Sequence, residues 1–330
     1  MRAVVLTKTC PAEDLRVSEV PVPVVKPGWV LVKVRAFGLN RSEVILRRHE
    51  ADAPYIQLPR IPGIECAGVV ADPSDSRFRA GQRVVALMGG MGRSFDGSYA
   101  EYALLPAHHV FTVDGDWDWV ELAAIPETWF TAWGSLFEGL QLSSQDILYI
   151  HGGTSALGLA AMQNARSIGC TVLSTTRNVG KLDFLRAQGA SLALLDDETL
   201  VDRVRAAFPS GVTKALELVW PMGFQNTAKL LKHRGIACVT GGLAHESPNG
   251  FDPIKGIPNG AYLTSFYSNF PTQAVMDEIF AHMRAHRLKP VVGRVFPLEK
   301  IAGAHLLMEQ NEANGKIVVQ VAMGESRKRG

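Results

Sequence analysis

The first third of the chain alternates short apolar stretches with turn residues. Runs rich in Val, Leu, Ala and aromatic residues occupy positions 3–6, 29–37, 65–71, 83–87 and 99–105, and clusters such as VKPG at 25–28 separate them. Short runs of this kind, bounded by Gly and Pro, are typical of β-strands. We therefore predict that residues 1–122 form a mainly-β, barrel-like domain.

From about residue 123 the pattern changes to alternating helices and strands. Apolar strands are predicted at 147–150, 171–175, 192–195, 214–219 and 236–240, with a helix over 155–168 and further helical stretches between the others. Strands that alternate with helices form a parallel sheet covered by helices, which predicts an α/β domain over 123–268. Residues 269–330 are expected to complete that domain and to return to the first one. They contain predicted helices at 274–286 and 298–309 and a strand at 316–321.

The segment 146–158, DILYIHGGTSALG, joins a short apolar strand, a glycine-rich turn and the start of a helix. Backbone amides at such a turn, with the positive end of the helix, suit the pyrophosphate of a dinucleotide. Gly153 and Gly158 fit the first and third positions of the usual three-glycine pattern, while Ser155 replaces the middle glycine and its hydroxyl can donate to a phosphate. An ordinary strand-to-helix turn is the alternative. The predicted cofactor contacts are Gly153, Thr154, Ser155, Ala156, Leu157 and Gly158.

The second strand of this βαβ unit ends without an acidic residue. In NAD-binding units a carboxylate at that point accepts hydrogen bonds from the ribose hydroxyls. Here Thr175, Thr176 and Arg177 follow one another, Lys181 lies one turn later, and the next acid is Asp183. Small hydroxyls and a guanidinium suit a 2′-phosphate, so the sequence favours NADP(H) over NAD(H). The alternative is that the two basic residues only solvate the start of a helix.

Composition narrows the classes of partner. The chain has 330 residues, 47% of them hydrophobic, and a formal net charge of +2 with dispersed Lys and Arg. Such a chain can bury large cores, and it lacks the basic excess expected for binding nucleic acid or an anionic membrane. No apolar run approaches the ~20 residues of a membrane helix. The four cysteines show no CxxC pairing, and the N-terminus begins like a strand, which together predict a cytoplasmic protein with reduced thiols.

A series of short segments occurs in a characteristic order: MRAVVL, PGWVLVKVRAFGLNRSE, PGIECAGVV, GSYAEY, ETWFTAW, IHGGTSALGLAA, TTRN, LRAQGA, VFPLEKIAGAH and GKIVV. In this order and spacing they resemble the medium-chain dehydrogenase/reductase superfamily, in its zinc-independent, quinone-oxidoreductase-like branch. The resemblance covers nearly the whole chain. It implies an α/β Rossmann nucleotide-binding domain, an N-terminal chaperonin-10-like catalytic domain, and a homodimer formed through edge strands of the nucleotide domain.

The chain departs from the zinc-dependent alcohol dehydrogenases of that superfamily at the metal-ligand positions. Asn40 stands where those enzymes place a catalytic cysteine, Ile64 stands in a ligand position, and only Glu65 remains. The segment that corresponds to their structural zinc lobe reads LMGGMGRSFDG and lacks its cysteines. Tetrahedral zinc needs thiolate or imidazole ligands, so we predict no bound metal.

Hydride transfer without a Lewis acid suits acceptors that spread the developing charge, such as a quinone or an α,β-unsaturated carbonyl compound. The resemblance implies that Asn40 holds the nicotinamide ribose or polarises a substrate oxygen, and that Thr131 lies near the nicotinamide. Some relatives carry a tyrosine a few residues after the asparagine, where this chain has Ile45; Tyr55 is then the candidate proton donor. The alternatives are local roles: a turn conformation for Asn40, a helix hydroxyl bond for Thr131 and loop packing for Tyr55.

The remaining predicted cofactor contacts are Gly241 and Gly242 after the fifth strand, Phe266 and Tyr267 beside the nicotinamide, and Lys316, whose counterpart reaches the cofactor in relatives. Sheet packing for the aromatic pair and surface exposure for the lysine are the alternatives. The leading functional hypothesis is an NADPH-dependent reductase of a small-molecule quinone or enone. A 2-enoyl thioester reductase and a non-catalytic NADPH-binding scaffold or redox sensor are the alternatives.

Overall fold

The computed structural model describes residues 1–221, 223–241 and 251–321. These residues divide into two compact units. Unit 1 comprises Met1–Glu127 together with residues 269–321, and unit 2 comprises the described part of Thr128–Ser268. The boundaries lie close to the predicted positions 122 and 268. The C-terminal segment belongs to unit 1, because its two strands join the sheet of that unit, and this differs from the prediction that it also completes the α/β domain.

The described residues form fifteen strands and ten α-helices. The strands are β1 (Arg2–Val4), β2 (Val17–Glu19), β3 (Trp29–Gly38), β4 (Glu65–Asp72), β5 (Arg83–Leu87), β6 (Tyr102–Pro106), β7 (Val110–Thr112), β8 (Ile147–His151), β9 (Thr171–Thr176), β10 (Leu192–Leu195), β11 (Val212–Glu217), β12 (Leu231–Val239), β13 (Tyr262–Ser265), β14 (Val292–Pro297) and β15 (Lys316–Gln320). The α-helices are α1 (Arg41–Ile45), α2 (Trp119–Ala123), α3 (Pro126–Trp133), α4 (Ala156–Ser167), α5 (Leu182–Ala187), α6 (Leu200–Ala207), α7 (Phe224–Leu230), α8 (Pro253–Gly256), α9 (Gln273–His286) and α10 (Ile301–Gln310). Single π-helical segments, Leu46–Glu50 and Gly134–Gly139, extend α1 and α3.

Unit 1 is built around a seven-stranded sheet in which β3 is the central strand. One side of β3 pairs with β4, and the other side pairs with β6 along its first half and with β15 along its second half. The sheet has the order β14-β15-β3-β4-β5-β7, and its pairs are antiparallel except that of β14 with β15. Seven of the ten residues of β3 are buried, as its apolar sequence requires.

The strands predicted at 29–37, 65–71 and 83–87 are confirmed to within one residue by β3, β4 and β5. Those predicted at 3–6 and 99–105 are shorter, because β1 ends at Val4 and β6 begins at Tyr102. Ala100 instead forms a single antiparallel bridge with Ala3. The mainly-β character predicted for this part of the chain is therefore correct.

Unit 2 contains a six-stranded sheet of order β10-β9-β8-β11-β12-β13, and all of its strand pairs are parallel. From the central pair β8 and β11, the sheet continues through β9 and β10 on one side and through β12 and β13 on the other, so the strand order reverses between β8 and β11. In open parallel sheets, ligands bind beyond the carboxyl ends of the strands at such a point of reversal. Apolar side chains of neighbouring strands, among them Tyr149, Leu173, Ala215 and Ala237, form its buried core.

The five strands predicted for this domain correspond to β8–β12, and the helix predicted over 155–168 is α4. The strand β13 was not predicted. It is a four-residue edge strand with two exposed positions, so its sequence, YLTS, carries no buried apolar run. The α/β class and the parallel sheet follow correctly from the alternation of helices and strands.

Candidate functional site

The turn between β8 and α4 has the geometry of a dinucleotide turn. Gly152 has a φ of +86°, a conformation that side chains with a Cβ rarely adopt. A Cβ on Gly153 would collide with the hydroxyl of Ser174, so this glycine allows the turn to approach β9 closely. The sequence analysis assigned the tight-turn position to Gly153, whereas in the structure Gly152 is the residue that adopts the positive φ of the turn.

Gly158 and Ser155 hold α4 against this turn. Ser155 caps the helix: its Oγ accepts a hydrogen bond from the Gly158 amide at 3.0 Å and donates to the Gly152 carbonyl at 2.9 Å. A Cβ on Gly158 would lie 2.8 Å from the Gly152 carbonyl oxygen and from Gly153 Cα. Close packing of backbone on backbone therefore requires glycine at 158. The Ser155 hydroxyl, expected to donate to a phosphate, uses its hydrogen within the turn.

Thr154, Ala156 and Leu157 complete the turn and are partly exposed. Ala156 and Leu157 are the first residues of α4, and the backbone amides of a helix's first turn have no carbonyl partner within the helix. The positive end of the helix dipole adds to these amides, which makes this end of α4 suited to a phosphate group. Their contact with a cofactor stays a prediction.

The two threonines at the end of β9 are buried and fasten the local backbone. Thr175 is 1% exposed; its hydroxyl accepts from the Gly152 amide at 3.3 Å and its carbonyl accepts from the Gly153 amide at 3.0 Å. Thr176 is 6% exposed, and its hydroxyl accepts from the Asn178 amide at 3.2 Å. Both hydroxyls therefore have a structural role as acceptors in the turn, and their contact with a 2′-phosphate stays a prediction.

Arg177 follows directly and is exposed, and Lys181 is half-buried at the start of α5. Leu195 of β10 is the register partner of Thr176, so Arg177 and Asp196 are the next residues of two neighbouring parallel strands. Of the residues predicted at the 2′-phosphate, Arg177 is the one whose exposure suits that role.

A buried histidine connects the carboxyl ends of three strands in unit 2. His151, the last residue of β8, is 3% exposed. Its Nδ1 lies 2.8 Å from Oε1 of Glu217 at the end of β11, and its Nε2 lies 2.9 Å from Oδ2 of Asp196 after β10. Glu217 is fully buried and also accepts hydrogen bonds from the Thr227 hydroxyl and the Val219 amide.

Burial alone lowers the pKa of His151, but hydrogen bonds to Asp196 and Glu217, with their negative charges, outweigh it and raise the pKa to about 9. The hydrogen bond from His151 lowers the pKa of Asp196, with a smaller contribution from the charge of Arg177. His151 is therefore an imidazolium at neutral pH, bound by two carboxylates beside the point where the strand order reverses.

The remaining predicted residues of unit 2 lie at the ends of β12, β13 and α3. Gly241 has a φ of +99°, and Gly242 lies outside the described residues. The Phe266 ring packs 5.7 Å from that of Phe130, centroid to centroid, and covers Gly134, where a Cβ would collide with it. Tyr267 is 73% exposed.

Phe266 also lines a cavity of about 540 Å³ beside β13. Thr131, in α3, is 8% exposed, and its carbonyl accepts a hydrogen bond from the Ser135 hydroxyl at 2.6 Å. Contact of these side chains with a nicotinamide stays a prediction.

In unit 1, Asn40, Glu65 and Lys316 form a closed set of hydrogen bonds. Lys316 Nζ lies 2.6 Å from Glu65 Oε1 and donates to Asn40 Oδ1 at 2.6 Å, while Asn40 Nδ2 donates to Glu65 Oε1 at 2.9 Å. Glu65 is fully buried, Lys316 is 3% exposed and Asn40 is partly exposed. Lys316 is thus a buried ion-pair partner and not a surface lysine; its predicted reach to a cofactor is untested.

Two further features stabilise this cluster. A Cβ on Gly38 would collide with the Lys316 side chain and would lie 2.9 Å from the Ala123 carbonyl oxygen, so the glycine at the end of β3 makes room for the lysine. Glu43 is fully buried; its carboxyl accepts from the Asn40 amide at 2.8 Å and from the Ile64 amide at 3.1 Å. Burial raises the pKa of Glu43 to about 7, against the opposing charge of Lys316.

These residues do not fit a zinc ion. The positions that hold the metal in zinc-dependent relatives carry an amide at Asn40, an aliphatic side chain at Ile64 and a carboxylate at Glu65 whose charge is already matched by Lys316. An ammonium 2.6 Å from the carboxylate repels a dication from the same place. Among the described residues, no group of three or more His, Cys, Asp or Glu side chains is arranged to bind a metal.

The candidate proton donor Tyr55 is 65% exposed in the segment that follows the π-helical turn. This exposure favours a role in solvent-accessible chemistry over packing within the loop. Its chemical role stays a prediction.

Sequence reasoning missed His151, Asp196, Glu217 and Glu43. Two signals were available in the sequence. One is a histidine that ends a strand directly before a glycine turn, and the other is the pair of acids that end two further strands of the same parallel sheet. They were not recognised because the strand order, which brings β8 and β11 together, is not contained in local pattern. Glu43 stands three residues after Asn40, the spacing of a helix capping box, and this signal was readable.

Two family models match the chain. Residues 26–115 match the alcohol dehydrogenase GroES-like domain, and residues 188–319 match the zinc-binding dehydrogenase model. Quinone oxidoreductase from Homo sapiens is 29% identical over 326 residues, which cover 97% of each chain.

Solved structures agree in fold. An NAD-dependent alcohol dehydrogenase superposes with a TM-score of 0.88 and 28% identity, covering 98% of this chain and 100% of that one. A mycobacterial protein solved in complex with NADPH gives a TM-score of 0.86 at 24% identity, with 97% and 99% coverage, and supports the fold alone.

The chain belongs to the medium-chain dehydrogenase/reductase superfamily, in its quinone-oxidoreductase-like branch. It is an oxidoreductase that combines a GroES-like domain with a Rossmann-type domain. Within the described part of the chain, every helix is too short or too polar to cross a membrane.

Proposed function

We propose that this chain is an NADPH-dependent reductase of quinones or α,β-unsaturated carbonyl compounds that works without zinc. The observation that carries this proposal is the buried Lys316–Glu65 ion pair at the metal-ligand positions. Its ammonium neutralises the one carboxylate that a metal would need, and Asn40 and Ile64 supply neither thiolate nor imidazole. The names of the quinone oxidoreductase relatives agree with such chemistry.

The choice of NADP(H) rests on the end of β9. Arg177 is exposed there, and the strand ends in buried threonines where NAD-binding units carry an acid. The neighbouring acid, Asp196, accepts a hydrogen bond from His151 at 2.9 Å, which commits it to a partner within the protein. A guanidinium that projects into solvent at this point favours a ligand with an added phosphate. The NAD-dependent alcohol dehydrogenase among the structural neighbours makes NADH the comparison ligand.

The residues that would hold the dinucleotide are the turn from Gly152 to Gly158, Arg177 and Gly241. When bound, NADPH supplies a hydride to the acceptor. The turn presents backbone amides at the positive end of α4, which balance the pyrophosphate charge. A quinone or enone spreads the resulting negative charge onto a conjugated oxygen, where a hydrogen bond from Asn40 stabilises it. Tyr55 or water then delivers the proton that completes the reduction.

The first experiment measures binding of NADPH and NADH to metal-free protein by calorimetry, followed by NADPH oxidation with 9,10-phenanthrenequinone and with a 2-alkenal. We expect tight NADPH binding and turnover that added zinc leaves unchanged. A requirement for zinc would contradict the proposal. Binding without turnover of any quinone or enal would favour a cofactor-binding scaffold, and turnover of enoyl thioesters alone would favour a 2-enoyl thioester reductase.

A matched pair of variants tests the specificity residue. Arg177→Ser should weaken NADPH binding about 10- to 100-fold, the value of a lost charged hydrogen-bond pair, and leave NADH binding unchanged. Arg186→Ser is the control, because Arg186 is an exposed arginine of α5 that pairs with Asp183. Equal effects of the two variants on NADPH binding would refute the assignment to Arg177.

We also propose a cytoplasmic homodimer that has no nucleic-acid or membrane partner. The strand β13 ends the order of the unit 2 sheet, and Tyr262 on it is 52% exposed, which suits pairing with a second copy. Sedimentation analysis tests the dimer. A Tyr262→Asp variant should shift the mass toward that of a monomer, and an unchanged mass would place the interface elsewhere.

A further inference from the structure

The amide of Asn40 is held in one orientation by two charged side chains. It is contributed by the residue before α1, while Glu65 begins β4 and Lys316 begins β15. Lys316 and Asn40 are separated by 276 positions in the chain. Three separate elements thus converge on one partly exposed amide.

The chemistry of the two partners fixes which atom of the Asn40 amide faces Lys316 and which atom faces Glu65. An ammonium has only donors, so the atom 2.6 Å from Lys316 Nζ must be the acceptor, Asn40 Oδ1. A carboxylate has only acceptors, so the atom 2.9 Å from Glu65 Oε1 must be the donor, Asn40 Nδ2. If the amide turned over, both contacts would become repulsive.

We infer that Lys316 and Glu65 are positioning residues, which hold the Asn40 amide so that the second hydrogen of Nδ2 is presented to the oxygen of the acceptor. This inference rests on the proposed reductase function. An amide nitrogen carries two hydrogens, and the hydrogen bond to Glu65 uses one of them. The acceptor gains a hydride and its oxygen gains negative charge, which the second N–H stabilises until water supplies a proton.

The partners are themselves fixed, as a preorganised donor requires. The second oxygen of Glu65 accepts from the Glu127 amide at 2.8 Å, at the start of α3. Burial of Glu65 and Lys316 keeps water from competing for either side of the amide. The Asn40 backbone is tied to Glu43 at 2.8 Å. A donor held in this way is not reorganised as charge develops on the acceptor.

The test compares Asn40→Ala, Lys316→Met and the double variant Glu65→Gln/Lys316→Met. The single lysine variant leaves Glu65 buried without its cation and can fail to fold, whereas the double variant removes both charges. In the double variant the Glu127 amide retains an oxygen of Gln at position 65, so the NH₂ group faces Asn40. Because that NH₂ group needs a hydrogen-bond acceptor, the Asn40 amide turns over and presents Oδ1 to position 65 instead of Nδ2.

We expect the double variant to lose kcat to the same extent as Asn40→Ala, about 100-fold for one preorganised donor, with an unchanged NADPH dissociation constant. Adding Asn40→Ala to the double variant should cause no further loss, because both changes remove the same hydrogen bond. Lys300→Met, at an exposed lysine of unit 1, is the control and should leave kcat unchanged.

Three results would overturn the inference: wild-type kcat in the double variant, losses that multiply in the triple variant, or a rise in the NADPH dissociation constant of fivefold or more. The last would indicate that Lys316 contacts the cofactor. Failure of the proposed function is recognised separately, because the unaltered protein would then bind NADPH without oxidising it in the presence of any quinone or enone, and the inference would fall with it.

Discussion

His151 is expected to carry a positive charge well above neutral pH, and this can be measured directly. Its pKa rises from the ordinary 6.5 to about 9 because Asp196 and Glu217 bind both ring nitrogens. Each unit of difference between the folded and unfolded pKa corresponds to about 1.4 kcal/mol, so the folded state favours the imidazolium by about 3 kcal/mol relative to the unfolded chain. Because the folded pKa is the higher one, this stabilisation is complete below pH 6.5 and is lost as the pH rises through 9.

The assay is a pH titration of the histidine ring nitrogens by ¹⁵N NMR between pH 6 and 10. We expect both nitrogens of His151 to remain protonated at pH 8, with a midpoint near 9. Replacing Asp196 with Asn removes one charged partner and should lower the midpoint by about one pH unit or more, which also assigns the resonance. Asp197→Asn is the matched control, because that acid is hydrogen-bonded to Thr199 and Arg203.

The stability consequence provides a second measurement. The free energy of unfolding of unit 2, followed by hydrogen exchange of the β8 and β11 amides, should fall by about 3 kcal/mol between pH 6.5 and 9.5. A ring midpoint below 7, or no difference between Asp196→Asn and Asp197→Asn, would show that His151 is neutral and that the cluster is not an ion triad.

Three further predictions concern packing and buried titratable groups. Gly158→Ala should destabilise the protein by about 1–3 kcal/mol, because its Cβ would meet backbone atoms at 2.8 Å. Gly303→Ala within α10 should stabilise the protein by up to about 1 kcal/mol, because its Cβ would meet the Phe296 ring at 3.6 Å, an ordinary contact distance; thermal melting compares the two variants. Burial lowers the pKa of His305 to about 3, so the free energy of unfolding should fall by up to about 1.4 kcal/mol for each pH unit as the pH is lowered from 6.5 to 3. Urea unfolding measures this slope, which should be shallower in His305→Gln. Burial raises the pKa of Cys66 to about 12, so iodoacetamide at pH 8 should label it only after unfolding; mass spectrometry of native protein that finds Cys66 alkylated would contradict this.

The sequence by itself determined the local units of this protein. Strand periodicity, turn residues and the run of small residues at 152–158 depend on neighbours within a few positions, so the mainly-β unit, the parallel sheet and the dinucleotide turn could all be predicted. The absence of thiolate and imidazole at positions 40 and 64 was equally readable. The edge strand β13 escaped prediction because it has neither the length nor the apolar pattern of a buried strand.

Only the tertiary structure decided which side chains meet. Asn40 and Lys316 come together because β15 pairs with β3, and His151 meets Glu217 because β8 and β11 are neighbours in the sheet although 66 positions separate the two residues. The structure also shows that the Ser155 hydroxyl donates to the Gly152 carbonyl and that the Thr175 hydroxyl accepts from the Gly152 amide, contacts that local pattern does not reveal. The physical reason is that a hydrogen bond or ion pair depends on strand order and register, which are set by the packing of the whole sheet. Backbone preferences, in contrast, are set residue by residue along the chain.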